Sequence, residues 1–182
     1  MNDSHGTLIA PDTLRLQRSL PGPIERVWTY LTESEARGRW LARGDMELHP
    51  GGKVQLTFQH DQLSKERAPT PERYRTDDGC HHQHGHVIAC EAPRLLSFTW
   101  READGGHSEV RFDLAPEGER VLLTITHSRL RSRDMLLSVS AGWHAHVGIL
   151  LDHLEGREPA SFWPAHERLQ ADYEQRLPRH AA

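Results

Sequence analysis

Four segments in the middle of the chain place apolar residues at every second position, and this spacing constrains the fold more than any other feature. They are Val54–Phe58, Leu96–Trp100, Val110–Leu114 and Val121–Ile125. Successive side chains of a β-strand point to opposite faces, so each segment would have one apolar and one polar face. Turn-forming residues at 104–106 and 116–118 separate the last three segments. The pattern is typical of an antiparallel sheet with one buried and one solvated face.

Shorter elements are predicted before this run of strands. A first strand at Thr13–Leu20 is followed by the breaker Pro21–Pro23, and the apolar spacing of Ile24–Leu31 then indicates a short amphipathic helix. A second short helix is predicted over Ser34–Leu41, with Ser34 as its N-cap.

The longest predicted helix follows the last strand. Ser138 is its predicted N-cap, and Gly156 ends it in the C′ position. Its apolar residues form one stripe, made of Val139, Trp143, Val147, Leu150, Leu151 and Leu154. Only the apolar face of the sheet is large enough to cover this stripe. The sequence therefore predicts one α+β domain in which a curved antiparallel sheet wraps a long C-terminal helix.

Two segments depart from these patterns. His60–His82 is a polar stretch of 23 residues, and loops longer than about 12–15 residues are usually lids or disordered. Disorder is the favoured interpretation and an ordered lid is the alternative. The tail at 157–182 is predicted to be helical, with Phe162, Leu169 and Tyr173 on one stripe that packs back on the domain or forms a homodimer.

Composition excludes several classes of partner. The net charge of −4 provides no basic field for nucleic acid or anionic lipid. No apolar run is long enough for a membrane span, and no nucleotide-binding glycine motif occurs, so no cofactor is expected. The two cysteines, Cys80 and Cys90, form no CxxC motif, and the N-terminus lacks the pattern of a signal peptide, so a cytoplasmic location is predicted.

Several stretches of the sequence are similar to a known family. They are Pro23–Trp28, Gly85–Val87, Pro93–Trp100, Thr124–Ser128 and Gly142-Trp143. The chain resembles the SRPBCC (START/birch-allergen-like) superfamily and, within it, the homologues of the activator of heat-shock-protein-90 ATPase. The resemblance covers residues 12–156 and implies a helix-grip domain there. The loop insertion at 60–82 and the helical tail at 157–182 depart from the family pattern. It also implies a deep pocket between the sheet and the long helix.

The predicted pocket has a candidate set of ligand-binding residues. Large side chains fall on faces that should point inward: Trp40, Met46, Phe58, Trp100, Phe112 and Trp143. A cavity lined by aromatic residues with a few polar groups suits a small apolar ligand. His127 continues the inward series of Leu123 and Ile125, so it is either a hydrogen-bonded core histidine or an acid–base group.

A histidine-rich stretch is a weaker candidate for a metal site. His82, His84 and His86 share a strand face with Cys80, and His144 and His146 could approach from elsewhere. Same-face residues of a strand lie roughly 6.5–7 Å apart, which is too far for three imidazoles to reach one ion. No metal site is therefore predicted.

The preferred interpretation is binding of a small hydrophobic or amphipathic molecule in the cavity between sheet and helix. One alternative is an enzyme of cyclase, dehydratase or hydrolase type that uses the same pocket, with His127 as acid or base. Another is a co-chaperone-like protein-interaction module that acts through its outer surface. Whether any reaction is catalysed stays open at this point.

Overall fold

The computed structural model describes residues 4–102 and 105–178, and these contain one antiparallel sheet of seven strands. The strands are β1 (Thr7–Ala10), β2 (Thr13–Pro21), β3 (Lys53–Phe58), β4 (His81–Glu91), β5 (Leu95–Arg101), β6 (His107–Glu117) and β7 (Arg120–Ser128). Their order across the sheet is β1-β2-β7-β6-β5-β4-β3. Every neighbouring pair is antiparallel, as the alternating pattern predicts.

Four α-helices complete the described part of the chain. They are α1 (Ile24–Thr32), α2 (Ser34–Arg37), α3 (Arg133–Leu154) and α4 (Phe162–Arg176), with single 3₁₀ turns at His60–Gln62 and Glu72–Tyr74. The α+β helix-grip fold is confirmed, because the sheet curves around the long helix α3. No helix in residues 4–102 or 105–178 is both long and apolar enough to cross a membrane.

The register of the sheet determines which side chains meet inside. Phe98 of β5 pairs with Val110 of β6, and Val110 in turn pairs with His127 of β7. All three side chains are buried on the same face, as period-two alternation requires. His127 therefore points inward, as the sequence indicates.

Helix α3 begins six residues earlier than the predicted cap would allow. Its N-cap is Ser132, whose Oγ accepts a hydrogen bond from Met135 N at 3.2 Å, whereas Ser138 lies inside the helix. The predicted end is correct, because Gly156 adopts a left-handed φ of 72° just past the last turn. The predicted stripe is only part of the buried surface, since Leu137, His144 and other residues outside it are also buried.

Helix α2 is shorter than predicted because a buried arginine reorganises the chain after it. The helix ends at Arg37, whose guanidinium donates to the carbonyls of Ala42 (3.1 Å), Thr32 (2.7 Å) and Gly44. The backbone wraps around this side chain instead of continuing as a helix to Leu41.

The polar segment 60–80 and α4 together form a layer over α3, which we call the cover. Segment 60–80 is ordered, in contrast to the favoured prediction of disorder: Leu63 is buried in the core, and the Tyr74 ring stacks on Trp163 of α4. Helix α4 packs along α3 and buries Phe162, Trp163, His166, Leu169 and Tyr173. The tail stripe is thus used within the chain, and a homodimer stays a prediction.

Candidate functional site

The predicted pocket residues form a cluster of rings in contact. Trp143 of α3 lies 5.8 Å from Trp100 of β5 and 5.5 Å from Phe112 of β6, between ring centroids. Phe58 of β3 is 5.7 Å from Trp100, and His127 of β7 is 5.8 Å from the same ring. Five of the seven predicted residues therefore meet between the sheet and α3. We call this group of five the aromatic array.

The two remaining predicted residues lie outside this group. Trp40 is fully buried, its Nε1 donates to the Tyr30 carbonyl at 2.8 Å, and its ring reaches the cluster only through His146, 6.5 Å away. Met46 is half-buried and forms an isolated bridge with Val54 of β3. Phe98 joins the cluster instead, 6.0 Å from Phe112, because it shares the inward face of β5.

Hydrogen bonds fix the protonation of His127. Trp143 Nε1 donates to His127 Nδ1 at 3.0 Å, and an indole N–H can only donate, so Nδ1 carries no proton. The neutral ring then carries its proton on Nε2, which donates to Ser108 Oγ at 2.7 Å. The Ser108 hydroxyl in turn donates to the Glu102 carboxylate. The hydrogen bonds therefore all run in one direction, from Trp143 through His127 and Ser108 to the Glu102 carboxylate.

This arrangement has the properties of a satisfied core histidine. Burial lowers the pKa of His127 to about 3, so the ring is neutral at neutral pH. Both ring nitrogens are already bonded, and Nε2 cannot take a proton from Ser108 while it donates to that hydroxyl. His127 and Ser108 are also both fully buried.

The interior between the sheet and α3 is occupied by the array itself. Two surface concavities of the described residues lie elsewhere on the molecule. One, of about 510 Å³, is lined by Arg39, residues 62–65, His153 and residues 156–158. The other, of about 540 Å³, lies between residues 4–8 and 176–178. A ligand placed between Trp143 and its ring partners would displace side chains that contact each other there.

The array continues outward into the cover. Phe58 contacts His60 of segment 60–80 at 5.7 Å and His146 of α3 at 6.0 Å. Phe162, the first residue of α4, lies among three imidazoles, at 4.3 Å from His60, 4.5 Å from His146 and 5.5 Å from His166. One line of aromatic contacts thus extends from the core to the contact between α4 and segment 60–80, which we call the seam.

The seam histidines are neutral at neutral pH. Burial lowers the pKa values of His146 and His166 to about 4. The pKa of His60 is lowered by burial first and then by the neighbouring histidines His146, His166 and His81. A proton on any of these rings would place a charge in an apolar environment that also contains other imidazoles.

Two polar atoms in the seam lack partners among the described residues. The indole Nε1 of Trp163 and Nδ1 of His166 are buried and make no hydrogen bond. An unsatisfied buried donor or acceptor costs about 1–3 kcal/mol. Closing the cover is therefore less favourable than its apolar contacts alone imply.

The histidine-rich strand does not assemble a metal site in the structure. No group of three or more His, Cys, Asp or Glu side chains within residues 4–102 and 105–178 is placed to hold an ion. His82, His84 and His86 are exposed along regular β4, and His82 bonds to Asp78 at 2.9 Å. His144 and His146 bond instead to the Tyr173 hydroxyl and the Trp40 carbonyl.

Sequence reasoning did not identify the seam. His60 and Tyr74 lie in a segment without periodicity, and Trp163 lies in the tail helix, so no local pattern connects them. One signal was available, because Leu63 and Tyr74 are the large apolar residues of an otherwise polar segment and each needs a surface to cover it.

Comparisons with solved structures support the fold. The protein encoded by gene BPP1335 of Bordetella parapertussis is 40% identical, with a TM-score of 0.78 over 99% of this chain and 94% of that one. CalU16 from Micromonospora echinospora is 21% identical, with a TM-score of 0.65 over 90% of this chain and 86% of that one. DynU16, from the dynemicin biosynthetic locus, is 22% identical, with a TM-score of 0.60 over 81% of this chain and 49% of that one. At these identities, the last two comparisons show the fold alone.

Sequence comparison identifies the family. No match to a curated protein was found. The family model of the activator of Hsp90 ATPase homolog 1-like proteins matches residues 21–155, which is most of the chain. This match and the BPP1335 protein agree with the resemblance seen in the sequence. The chain belongs to the activator of Hsp90 ATPase homolog 1-like family, within the SRPBCC-type fold.

Proposed function

We propose that the protein binds a small apolar or amphipathic molecule with an aromatic portion, and that the cover opens to admit it. The observation that carries the proposal is the line of ring contacts from Trp143 in the core to Trp163 in the cover. Aromatic surfaces of this kind recognise flat apolar ligands by stacking and edge-to-face contact.

The closed state fits a binding protein that must open. The array is filled by its own side chains, so the binding-competent state is a minor conformer and the apparent affinity is reduced by its population. The cover is suited to such a transition, because the buried Trp163 Nε1 and His166 Nδ1 have no partners among the described residues. A polar group of an amphipathic ligand would satisfy one of them.

The two alternative functions, an enzyme and a protein-interaction module, have less support from the geometry. An enzymatic role for His127 requires an accessible ring nitrogen, and both nitrogens are buried and bonded. An interaction module would need a contiguous exposed apolar patch. The exposed large apolar side chains of the described residues are Ile9, Leu48 and Ile88, and Ile9 on β1 lies at the far side of the sheet from Ile88 on β4.

Native mass spectrometry of the purified protein tests the proposal. We expect a co-purifying organic mass that is lost on denaturation and unaffected by a chelator. A matched thermal-shift series with small aromatic compounds covers the case in which the ligand is lost during purification. A clean protein mass together with no stabilisation by any aromatic compound would contradict ligand binding.

A further inference from the structure

We propose that Tyr74 occupies the outer end of the ligand site, and that the preferred ligand is an uncharged planar aromatic molecule bearing a hydroxyl group. Such a ligand would replace the Tyr74 ring on Trp163. The inference rests on the proposed function and goes further by naming the entry point, the displaced side chain and the ligand class.

The Tyr74 side chain makes the contacts in the seam that a bound aromatic ligand would make. Its ring stacks on Trp163 at 5.0 Å between centroids and 20° between planes, and it is nearly perpendicular to the ring of His166, at 5.4 Å and 85°. The guanidinium of Arg73 lies over the same ring, 4.7 Å from the ring centroid. The Tyr74 hydroxyl is 3.4 Å from Ser138 Oγ of α3. The Tyr74 phenol therefore has a stacked ring, a perpendicular ring and a hydroxyl partner around it.

The segment that carries Tyr74 is weakly attached to α4 and can detach from it. The residue lies in a single 3₁₀ turn, Glu72–Tyr74, and the residues on both sides of it are exposed. Apart from the stacking contacts, this turn is held to α4 by one exposed hydrogen bond, from Arg73 to Gln170 at 2.7 Å. Regions with few buried contacts open at a free energy below that of global unfolding.

The surface left behind determines the ligand class. Departure of Tyr74 would uncover the face of Trp163, part of the His166 ring and the hydroxyl of Ser138. Trp163 and Ser138 carry no charge, His166 is neutral at neutral pH, and Arg73 would leave with the segment. An anion would lose its hydration there without gaining a fixed positive partner, so a neutral ring is preferred. A fused ring would cover more of the indole than a phenol does, and its hydroxyl would take the place of the Tyr74 hydroxyl at Ser138.

Calorimetric titration with 2-naphthol tests this assignment. We expect Tyr74→Ala to bind 2-naphthol about tenfold more tightly than the unmodified protein, because the competing side chain is gone and the open state is no longer a minor population. Tyr74→Phe should bind like the unmodified protein, because its ring still covers Trp163. Arg67→Ala, an exposed change in the same segment, is the matched control and should also have no effect.

A second variant tests the hydroxyl contact. Adding Ser138→Ala to Tyr74→Ala should weaken 2-naphthol binding about fivefold, the size expected for one neutral hydrogen bond. Equal affinity of Tyr74→Ala and the unmodified protein would overturn the inference. If a co-purified ligand is nevertheless present, the proposed function would stand with its site elsewhere in the array. If no variant binds 2-naphthol, this inference is overturned, and the proposed function is contradicted as well if no ligand co-purifies and no aromatic compound stabilises the protein.

Discussion

The indole Nε1 of Trp143 donates a 3.0 Å hydrogen bond to Nδ1 of His127, and this contact joins the central helix α3 to strand β7 in the middle of the core. Both side chains are fully buried. The contact selects one tautomer of the imidazole and so orients the whole chain of donors through Ser108 to Glu102. This polar link of the interior is therefore structural in the closed state.

Replacement of Trp143 by Phe tests this link. The ring contacts with Trp100 and Phe112 would be kept in part, but Nδ1 of His127 would lose its donor in a buried position. We expect a loss of about 1–3 kcal/mol in the free energy of unfolding, measured by urea denaturation. The loss in the double variant Trp143→Phe with His127→Leu should be smaller than the sum of the two single losses, because each single change breaks the same hydrogen bond. Strictly additive losses would show that the hydrogen bond contributes nothing.

Acidification should destabilise the protein before most carboxylates titrate. The pKa values of His146 and His166 fall from about 6.5 in the unfolded chain to about 4 in the folded one, and that of His127 to about 3. The unfolded state therefore takes up protons first. Stability is full above about pH 6.5 and is lost as the pH falls toward these folded values. We expect a decrease of at least about 2 kcal/mol between pH 7 and pH 5, measured by urea denaturation.

Two variants locate this pH dependence in the cover. His60→Phe preserves stacking on Phe162 but removes a titrating group from the seam, so it should reduce the pH dependence. His84→Asn is the control, because this exposed side chain lies on the outer face of β4. Equal pH profiles for all three proteins would exclude His60 as a source of the pH dependence.

The buried arginine at the end of α2 should tolerate no substitution. Arg37 donates to four backbone carbonyls, and burial lowers its pKa to about 10, which leaves it protonated at neutral pH. We expect Arg37→Met to cost about 3 kcal/mol or more in the free energy of unfolding, because these carbonyls lose their donor. Arg37→Lys should rescue less than half of the loss, since an ammonium group lacks the planar fork. The control Arg111→Met removes an exposed pair with Asp113 and should cost less than about 1 kcal/mol.

The sequence predicted those parts of the molecule in which buried residues recur at a fixed spacing along the chain. Alternation along β5, β6 and β7 identified the inward face, and with it Trp100, Phe112 and His127, because a strand repeats every two residues. The helical stripe likewise identified Trp143. The start of α3 was missed because Ser132 and Ser138 are both acceptable caps, and tertiary packing decides between them.

The cover could not be predicted in the same way. His60 meets Phe162 across 102 residues of sequence, and Tyr74 meets Trp163 across 89, and neither contact has a local period. The early end of α2 also depends on a tertiary feature, because Arg37 finds its acceptors only after the chain has turned back. Helical propensity is a weak prior that such contacts override.

The last prediction concerns the cover as a separate opening unit. Phe162→Ala removes the ring that His60, His146 and His166 surround, so it should lower the free energy needed to detach α4 from the rest of the core. Removal of a buried phenylalanine ring costs about 3–5 kcal/mol. Hydrogen exchange should therefore accelerate in α4 and in segment 60–80. The amides of β6 and β7 should keep the protection that they have in the unmodified protein. Glu167→Ala, an exposed change on the same helix, should leave exchange unaltered. Uniform loss of protection across the sheet would show that the cover unfolds only with the whole domain, and a ligand could then enter only by another path.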